Sequence, residues 1–363
     1  MHQSERAVFD LRRGLPVLIR AADGDRVAYP VERGSALLDA LEPAEDAALA
    51  LVLRRPRLAA LGLPADDDAR LPARLRGPIA RDRLAAWATG DGRPADDAFG
   101  PLEPAGSADR AALALMRRAR LIPAAITGPV TPELEALAER GPLLRVEATE
   151  AADCADQAAD RVRRVSEAPV PLADAPDSRF VLFREADGLR EHIAVVIGQP
   201  ESWPDPVPVR LHSACLTGDL FGSLRCDCGE QLRNAVATIA RLGGGVLLYL
   251  DQEGRGIGLA NKLRAYTLQD AGHDTVDADG LLGFHHDERR FASAASMLES
   301  VGVKRCRLLT NNPSKIEALT AHGIEVHARE AVYGRLTEQN RRYLSAKAER
   351  SGHLLDDVLD AES

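Results

Sequence analysis

Three of the chain's five cysteines fall within fourteen residues, in the stretch His212-Ser-Ala-Cys215-Leu-Thr-Gly-Asp-Leu-Phe-Gly-Ser-Leu-Arg-Cys226-Asp-Cys228-Gly229. Thiols spaced C-x10-C-x-C converge on one ion if the ten-residue segment loops back, and soft thiolate sulfur suits zinc. Three protein ligands leave a fourth position open for water, whose pKa zinc lowers to about 7, and this is the arrangement of a catalytic site. With His212 as a fourth ligand the same residues make a closed Cys3His structural site, and spacing alone leaves both readings open. Asp227 between two ligands and Gly229 behind them point to a tight exposed turn, a poor place for packing thiols. Cys154, in an Ala-rich helical stretch, and Cys306, at the start of an apolar strand, stand alone and read as packing residues.

Cationic and glycine-rich turns follow the thiols. Arg210 ends a strand just before the first of them. After the apolar run VLLYL (246–250) comes Asp251-Gln-Glu253-Gly254-Arg255-Gly256-Ile-Gly258 and then a helix. Glycines at a strand-to-helix turn let backbone N–H groups approach an anion, and Arg255 inside the turn favours phosphate over a plain tight turn. Thr310-Asn-Asn-Pro-Ser-Lys315 is a second such turn, with Lys315 in the first turn of a helix; the alternative is an N-capped helix with an exposed lysine. In His285-His286-Asp287-Glu288-Arg289-Arg290, Asp287 reads either as a helix cap or as a proton acceptor, with Arg289 beside a phosphate. The two adjacent histidines read as solvated loop residues.

These turns need a scaffold. RFVLFRE, EHIAVVIG and PVPVRLHS are short strands. Helices are expected at Glu230–Leu242, Leu259–Asp270, Asp287–Val301 and from Pro313, separated by the strands VLLYL and CRLLT. A last strand, IEVHA, precedes a C-terminal helix ending near Gly352. Strands alternating with helices give an α/β domain with a mixed sheet. Upstream, residues 1–150 read as a second α/β mixture: a helix at Glu5–Arg13, strands LPVLIRA and VAYPVE, Ala-rich helical stretches at Ala44–Leu53 and Ser107–Arg120, and loops at Pro64–Asp68 and Gly90–Asp97. A helical stretch AADCADQAADRVRRVSEA runs into APVPLADAPDS, where three prolines in eleven residues suggest a stiff linker. The expected division is an N-terminal domain at 1–167, a linker at 168–178 and a catalytic domain at 179–363.

A chain of 363 residues suffices for two domains, and 45% hydrophobic residues suffice for their cores. The formal net charge of −9 and only four lysines (Lys262, Lys304, Lys315, Lys347) argue against nucleic acid as a partner and leave room for one local basic pocket. No run of eighteen apolar residues appears, so no membrane span is expected, and the start MHQSERAVFD lacks the apolar core of a signal peptide. An odd number of cysteines argues against a disulfide framework, and a cytoplasmic location follows.

Residues 205–355 resemble GTP cyclohydrolase II, the first enzyme of riboflavin synthesis in bacteria. The stretches that carry the likeness are RLHSACLTGDLFGSLRCDCGEQL, DQEGRGIGLANKLRAYTLQD, DTVDA, GFHHDERRF, RLLTNNPSKIEAL and KAERSGHLL, in the family's order. The resemblance implies one catalytic zinc per subunit on Cys215, Cys226 and Cys228. It implies a GTP pocket lined by Arg210, Leu211, His212, Ser213, Ala214, Gln231, Glu253, Gly254, Arg255, Tyr266, Thr275, Thr310 and Lys315. It makes Asp287 the proton acceptor and Arg289 the nucleophile toward the α-phosphate, and it implies Mg²⁺ with the triphosphate and a homodimer. The implied products are 2,5-diamino-6-ribosylamino-4(3H)-pyrimidinone 5′-phosphate, formate and pyrophosphate. The alternatives are a paralogue acting on another nucleotide and a non-catalytic binding protein for GTP and zinc. Ala214 departs from the family's better-known members, which carry glutamate there, and YGRLTEQNRRYL is looser than the family's pattern. The N-terminal stretch AVFDLRRGLPVLIRAADGDRVAYPVE is faintly similar to the start of 3,4-dihydroxy-2-butanone-4-phosphate synthase. That family's acidic cluster is missing, since only Asp23 and Asp25 occur, so a degenerate, non-catalytic domain is expected.

Overall fold

The structure, a computed structural model, describes residues 2–32, 49–63, 65–72, 81–90, 99–157, 160–334 and 337. It divides into two compact units: one of residues 1–157 together with 260–288, the other of residues 158–259 together with 289–363.

The first unit is built on a seven-stranded sheet. Its strands are Val17–Arg20 (β1), Arg26–Pro30 (β2), Ala50–Leu53 (β3), Ala69–Pro72 (β4), Glu103–Pro104 (β5), Ala124–Pro129 (β6) and Leu144–Glu147 (β7), in the order β5-β4-β3-β6-β2-β1-β7. Neighbours pair antiparallel except β1 with β7, which run parallel. The helices His2–Arg12, Ser107–Arg118 and Ala148–Gln157 pack on one another. Ser107–Arg118 also lies against the sheet, with Leu113 buried beside Val52 of β3.

The second unit carries its own seven-stranded sheet. Val162–Pro169 (β8), Ser178–Glu185 (β9), Glu191–Ile197 (β10), Val207–Ser213 (β11), Gly245–Leu250 (β12), Arg305–Leu309 (β13) and Glu325–Glu330 (β14) lie in the order β14-β13-β11-β12-β10-β9-β8. β14, β13, β11 and β12 are mutually parallel, and β10, β9 and β8 continue as an antiparallel meander. One face is covered by the helix Cys228–Arg241, which buries Ala235, Val236 and Ile239 with Leu247, Val195 and Ile197. On the other face Ala294, Ala295, Met297 and Leu298 of the helix Ala292–Ser300 join Val209, Leu211, Val246 and Leu248. Strands buried on both faces explain the unbroken apolar run of β12. The mixed sheet is the one expected, and no helix among the described residues is long and apolar enough to cross a membrane.

Several elements differ from expectation. Ala50–Leu53 is a strand, not the end of a helix. All four of its side chains are buried, and pairing with β4 and β6 outweighs the helix propensity of Ala and Leu. The helix containing Cys154 stops at Gln157, and VRRVSEAP forms the edge strand β8. The Pro-rich segment 168–178 is therefore the turn of the β8–β9 hairpin rather than a linker, closed by a Leu172–Ala175 bridge and by the Ser178 hydroxyl donating to Val170 O at 2.6 Å. The helix expected from Asp287 begins at Ala292, so Asp287 lies in irregular chain and does not cap it. Residues 44–48, the loop at 91–97 and the C-terminal helix near Gly352 lie outside the described residues.

Leu248 is fully buried in β12, between β10 and β11. Leu248→Ala is expected to cost about 2–5 kcal/mol of the second unit's stability, measured by urea unfolding followed through Trp203. A loss below about 1 kcal/mol would contradict packing at this position.

Candidate active site

β11 lies between β12 and β13 and is parallel to both, so the chain leaves its carboxyl end at the point where the strand order turns from one side to the other. Ligand sites of open α/β sheets form at such points. Here the end of β11 brings Arg210, Leu211, His212, Ser213 and Ala214 to Cys215. The end of β12 brings the turn 251–258, and the end of β13 brings Thr310 to Lys315.

The three thiols converge as the spacing allows. The Sγ atoms of Cys215, Cys226 and Cys228 lie within 4.8 Å of one another, with 3.7 Å between those of Cys215 and Cys226. All three cysteines are free, and this is the one potential metal-ligating group among the described residues. The segment folds back through the short helix Leu216–Asp219. A Cβ on Gly218 would lie 2.7 Å from Cys226 Sγ and 3.1 Å from Cys215 Sγ, so the backbone itself walls the sulfur cluster. Three soft donors in a cradle of that size fit one zinc ion. His212 does not join them: its Nε2 lies 3.1 and 3.2 Å from the two carboxylate oxygens of Asp219. The open three-ligand arrangement is thus favoured over the closed one.

Asp219 organises this corner. Besides His212, it accepts the Tyr249 hydroxyl at 2.9 Å and the backbone N–H of Cys215 at 2.9 Å, and His212 and Tyr249 stack with centroids 5.6 Å apart. Glu253 holds the other side, accepting the N–H of Leu216 at 2.6 Å and that of Gly254 at 3.1 Å. Glu253 opens a turn in which Gly254 (φ 62°, ψ 38°) and Arg255 (φ 57°, ψ 32°) are both left-handed. Such backbone is costly for arginine and is tolerated where the surroundings fix it.

Buried cations stand beside the thiols. Arg210 donates to Leu309 O at 2.8 Å and to Gln231 Oε1 at 2.6 Å, and Gln231 in turn donates to Asp227 at 2.5 Å. Burial pushes Arg210 down to about 10, although Asp227 and Cys228 pull it upward. Its Nε and the Nδ1 of His212 are buried without a hydrogen-bond partner in the protein. Lys315 is 6% exposed, which excludes the surface lysine of the alternative reading, and its Nζ donates to Leu211 O at 2.6 Å. Asn312 caps that helix by accepting the N–H of Ser314, and Thr310 Oγ1 accepts the N–H of Asn312, so the Thr310 hydroxyl shapes the turn. Arg289 Nη1 reaches Ser213 Oγ at 3.4 Å, and Arg289 and Lys315 both face the ring of Phe291, at 5.4 and 5.8 Å.

Tyr266, Thr275 and Asp287 fall on segment 260–288, which packs with the first unit. Tyr266 is half-buried with Lys262 Nζ 5.7 Å from its ring, and Thr275 opens the helix Thr275–Leu281. The remaining expected site residues belong to the second unit. Sequence reading missed Asp219, Tyr249 and Phe291. The acid in Leu-Thr-Gly-Asp219, four residues past a thiol, was the available signal.

Fold and site together define a class: an α/β domain whose parallel strand ends carry a three-thiol metal-ligating cluster beside buried cations. The GTP cyclohydrolase II family model matches residues 163–331. GTP cyclohydrolase-2 of Azospirillum brasilense is 44% identical over 365 residues, spanning 98% of this chain and 94% of that protein. GTP cyclohydrolase-2 of Cronobacter sakazakii is 49% identical over 195 residues, 54% of this chain and 98% of that one. A solved two-domain 3,4-dihydroxy-2-butanone 4-phosphate synthase from A. baumannii aligns over 91% of this chain and 99% of its own at 18% identity and a TM-score of 0.35. The chain belongs to the GTP cyclohydrolase II family.

Two outcomes follow from the geometry. Gly218→Ala forces a methyl against two sulfurs and is expected to weaken zinc affinity by roughly tenfold or more, comparable to disturbing a ligand's support; competition with a chromogenic chelator measures it, and unchanged affinity would refute the cradle. His212 is held below its ordinary 6.5, first by burial, which Asp219 only partly offsets. A depressed histidine leaves the unfolded chain binding more protons near that pH, so stability is full above about 6.5 and is lost as pH falls through it. Metal-free protein should therefore melt lower at pH 5.5 than at pH 7.5, and His212→Gln should shrink the difference.

Proposed function

We propose that the chain is a GTP cyclohydrolase II, hydrolysing GTP to 2,5-diamino-6-ribosylamino-4(3H)-pyrimidinone 5′-phosphate, formate and pyrophosphate, the first step of riboflavin biosynthesis. The observation that carries this is the meeting, at the carboxyl ends of β11, β12 and β13, of three metal-ligating sulfurs with Arg210, Arg289 and Lys315. That pairing suits a substrate which is both a polyanion and an electrophile.

In this reading Cys215, Cys226 and Cys228 hold one zinc ion. Zinc there supplies Lewis acidity and lowers the pKa of water to about 7. Arg210, Lys315 and the helix N-terminus at Pro313 receive phosphate oxygens, and Mg²⁺ accompanies the triphosphate. Arg289, steadied by Ser213 and Phe291, acts at the α-phosphate, and Asp287 accepts a proton. Leu211, His212, Ser213, Ala214, Gln231, Glu253, Gly254, Arg255 and Thr310 line the pocket on the second unit, and Tyr266 and Thr275 are assigned to GTP by the family resemblance alone. The N–H of Ala214 is held by Leu250 O at 2.8 Å, which supports a backbone role where other members carry a glutamate side chain. A homodimer and a cytoplasmic location, suited to free thiols, belong to the same proposal.

The N-terminal unit is proposed to lack synthase activity. Its two candidate acids are engaged within the unit: Asp23 accepts the N–H and hydroxyl of Ser107 at 2.8 and 3.0 Å, and Asp25 pairs with Arg20 at 2.8 Å.

Incubation with GTP and Mg²⁺ should release formate and pyrophosphate together. Pyrophosphate alone would indicate a relative that stops short of ring opening, and neither product would indicate a binding protein. Cys226→Ser should lose most bound zinc and the formate with it, since a hydroxyl is a poor zinc ligand. Full zinc and full activity in that variant would break the ligand assignment.

A further inference from the structure

The loop that carries Asp287 is held by arginines from the N-terminal part of the chain. Glu288, whose side chain is 8% exposed, accepts Arg54 Nη1 at 2.6 Å on one oxygen and Arg117 at 2.8 and 3.1 Å on the other. Its first oxygen also accepts the N–H of His285 at 2.9 Å, closing the loop on itself. Burial alone would raise the Glu288 carboxyl, but Arg117 and Arg54 outweigh it and hold the group below the ordinary range. Arg54 also donates to Gly283 O at 3.4 Å.

Arg57, three residues on and 1% exposed, donates to three carbonyls: Trp87 at 2.9 Å, Ala86 at 3.0 Å and Leu281 at 3.0 Å. Those carbonyls belong to the last turns of the helices Arg81–Thr89 and Thr275–Leu281, where a cation complements the helix dipole. At the other end of the segment, Asn261 donates to Arg120 O at 3.0 Å and Arg264 pairs with Glu32. Segment 260–288 is thus tied down near its start and again from Leu281 to its last residue.

We propose that the N-terminal unit serves the cyclohydrolase reaction by fixing this segment, with Arg54, Arg57 and Arg117 as positioning residues that act through Glu288 and the carbonyls of Leu281 and Gly283. The inference rests on the reading of Asp287 and Arg289 above, since Glu288 lies covalently between them. A buried ion pair gives little net stability over apolar residues of the same size, so its use here is better explained by what it orients than by what it stabilises. Arg54 and Arg117 come from separate elements, and together they fix both oxygens of one carboxylate. That sets the direction of the peptide on either side of it.

The test uses full-length Arg54→Ala, Arg117→Ala, Glu288→Gln and Arg54→Ala/Glu288→Gln chains, each checked for zinc content and melting temperature. Formate release from GTP and hydrogen exchange of residues 281–290 are then measured. Expected is a fall in kcat of roughly tenfold to a hundredfold from mispositioning, with KM for GTP moved less than about threefold. Exchange in 281–290 should quicken, and Arg54→Ala should add little once Glu288 is glutamine. Arg117 is the more exposed partner, at 35%, so Arg117→Ala and Glu288→Gln carry the test if Arg54→Ala does not fold. Folded, zinc-loaded variants with unchanged kcat and unchanged exchange, or with a raised KM at unchanged kcat, overturn the proposal. If the unaltered chain releases no formate, it is the cyclohydrolase reading that fails. The exchange measurement then decides the clamp alone, with quickened exchange supporting it and unchanged exchange overturning it.

Discussion

The constraint on which the candidate site depends is the parallel pairing of β11 on both edges, with β12 on one side and β13 on the other. A strand so placed is buried on both faces: Val209 and Leu211 lie among the side chains of β12, β13 and the helix Ala292–Ser300, and the alternate positions Arg210 and His212 are buried on the other face. Its ladder fixes where the chain leaves the sheet, and so fixes Cys215 two residues beyond Ser213. The neighbouring strands deliver their own turns to the same edge without any long-range instruction beyond register. A one-residue slip of β11 would turn Arg210 and His212 to the opposite face and displace the first thiol.

From that edge the order is passed on by carboxylates rather than by the metal ligands themselves. Asp219 gathers the N–H of the first ligand, His212 and Tyr249, and Glu253 gathers the N–H that follows the ligand together with the first left-handed residue of the β12 turn. Each bond involves a charged acceptor in a poorly solvated corner, where such bonds contribute about 1.5–3 kcal/mol and leave a costly orphan when one partner is removed. The polypeptide therefore brings the three sulfurs within reach of a single ion.

Much of this was legible in the sequence because it is local. The C-x10-C-x-C spacing, the glycine-rich turn after VLLYL and the proline start of the Lys315 helix each express a short-range rule, and each stands where expected. What was not legible depends on distant partners. Ala50–Leu53 is a strand only because β6, more than seventy residues later, pairs with it. The stretch at 168–178 has a linker's composition, yet β8 and β9 close it into a hairpin. The expected single domain at 179–363 differs from the observed packing for the same reason: nothing in the composition of 260–288 announces that its carbonyls and Glu288 face arginines at 54, 57 and 117. Asp219 escaped notice because an aspartate at the end of a short helix is unremarkable until its three partners are known.

The buried cations bear on what the site is for. A chain with a formal net charge of −9 places Arg210 and Lys315 almost out of solvent, where each donates to neutral oxygens of Leu309, Gln231 and Leu211. Holding Arg210 at about 10 rather than at its ordinary value corresponds to roughly 3 kcal/mol against the charged form. Stability alone gives no reason to keep such an arrangement, since an apolar residue in the same volume would avoid the desolvation penalty. An anionic substrate does give a reason, because its charge offsets the penalty on binding and finds donors already oriented in a site of low polarity. The sulfur cluster beside those cations adds a place for electrophilic activation, and Arg289, which shares the Phe291 ring with Lys315, is a third cation in the same neighbourhood. Cost at rest and complementarity when occupied are two sides of one arrangement, and they explain why these charges sit at the strand ends rather than on the surface.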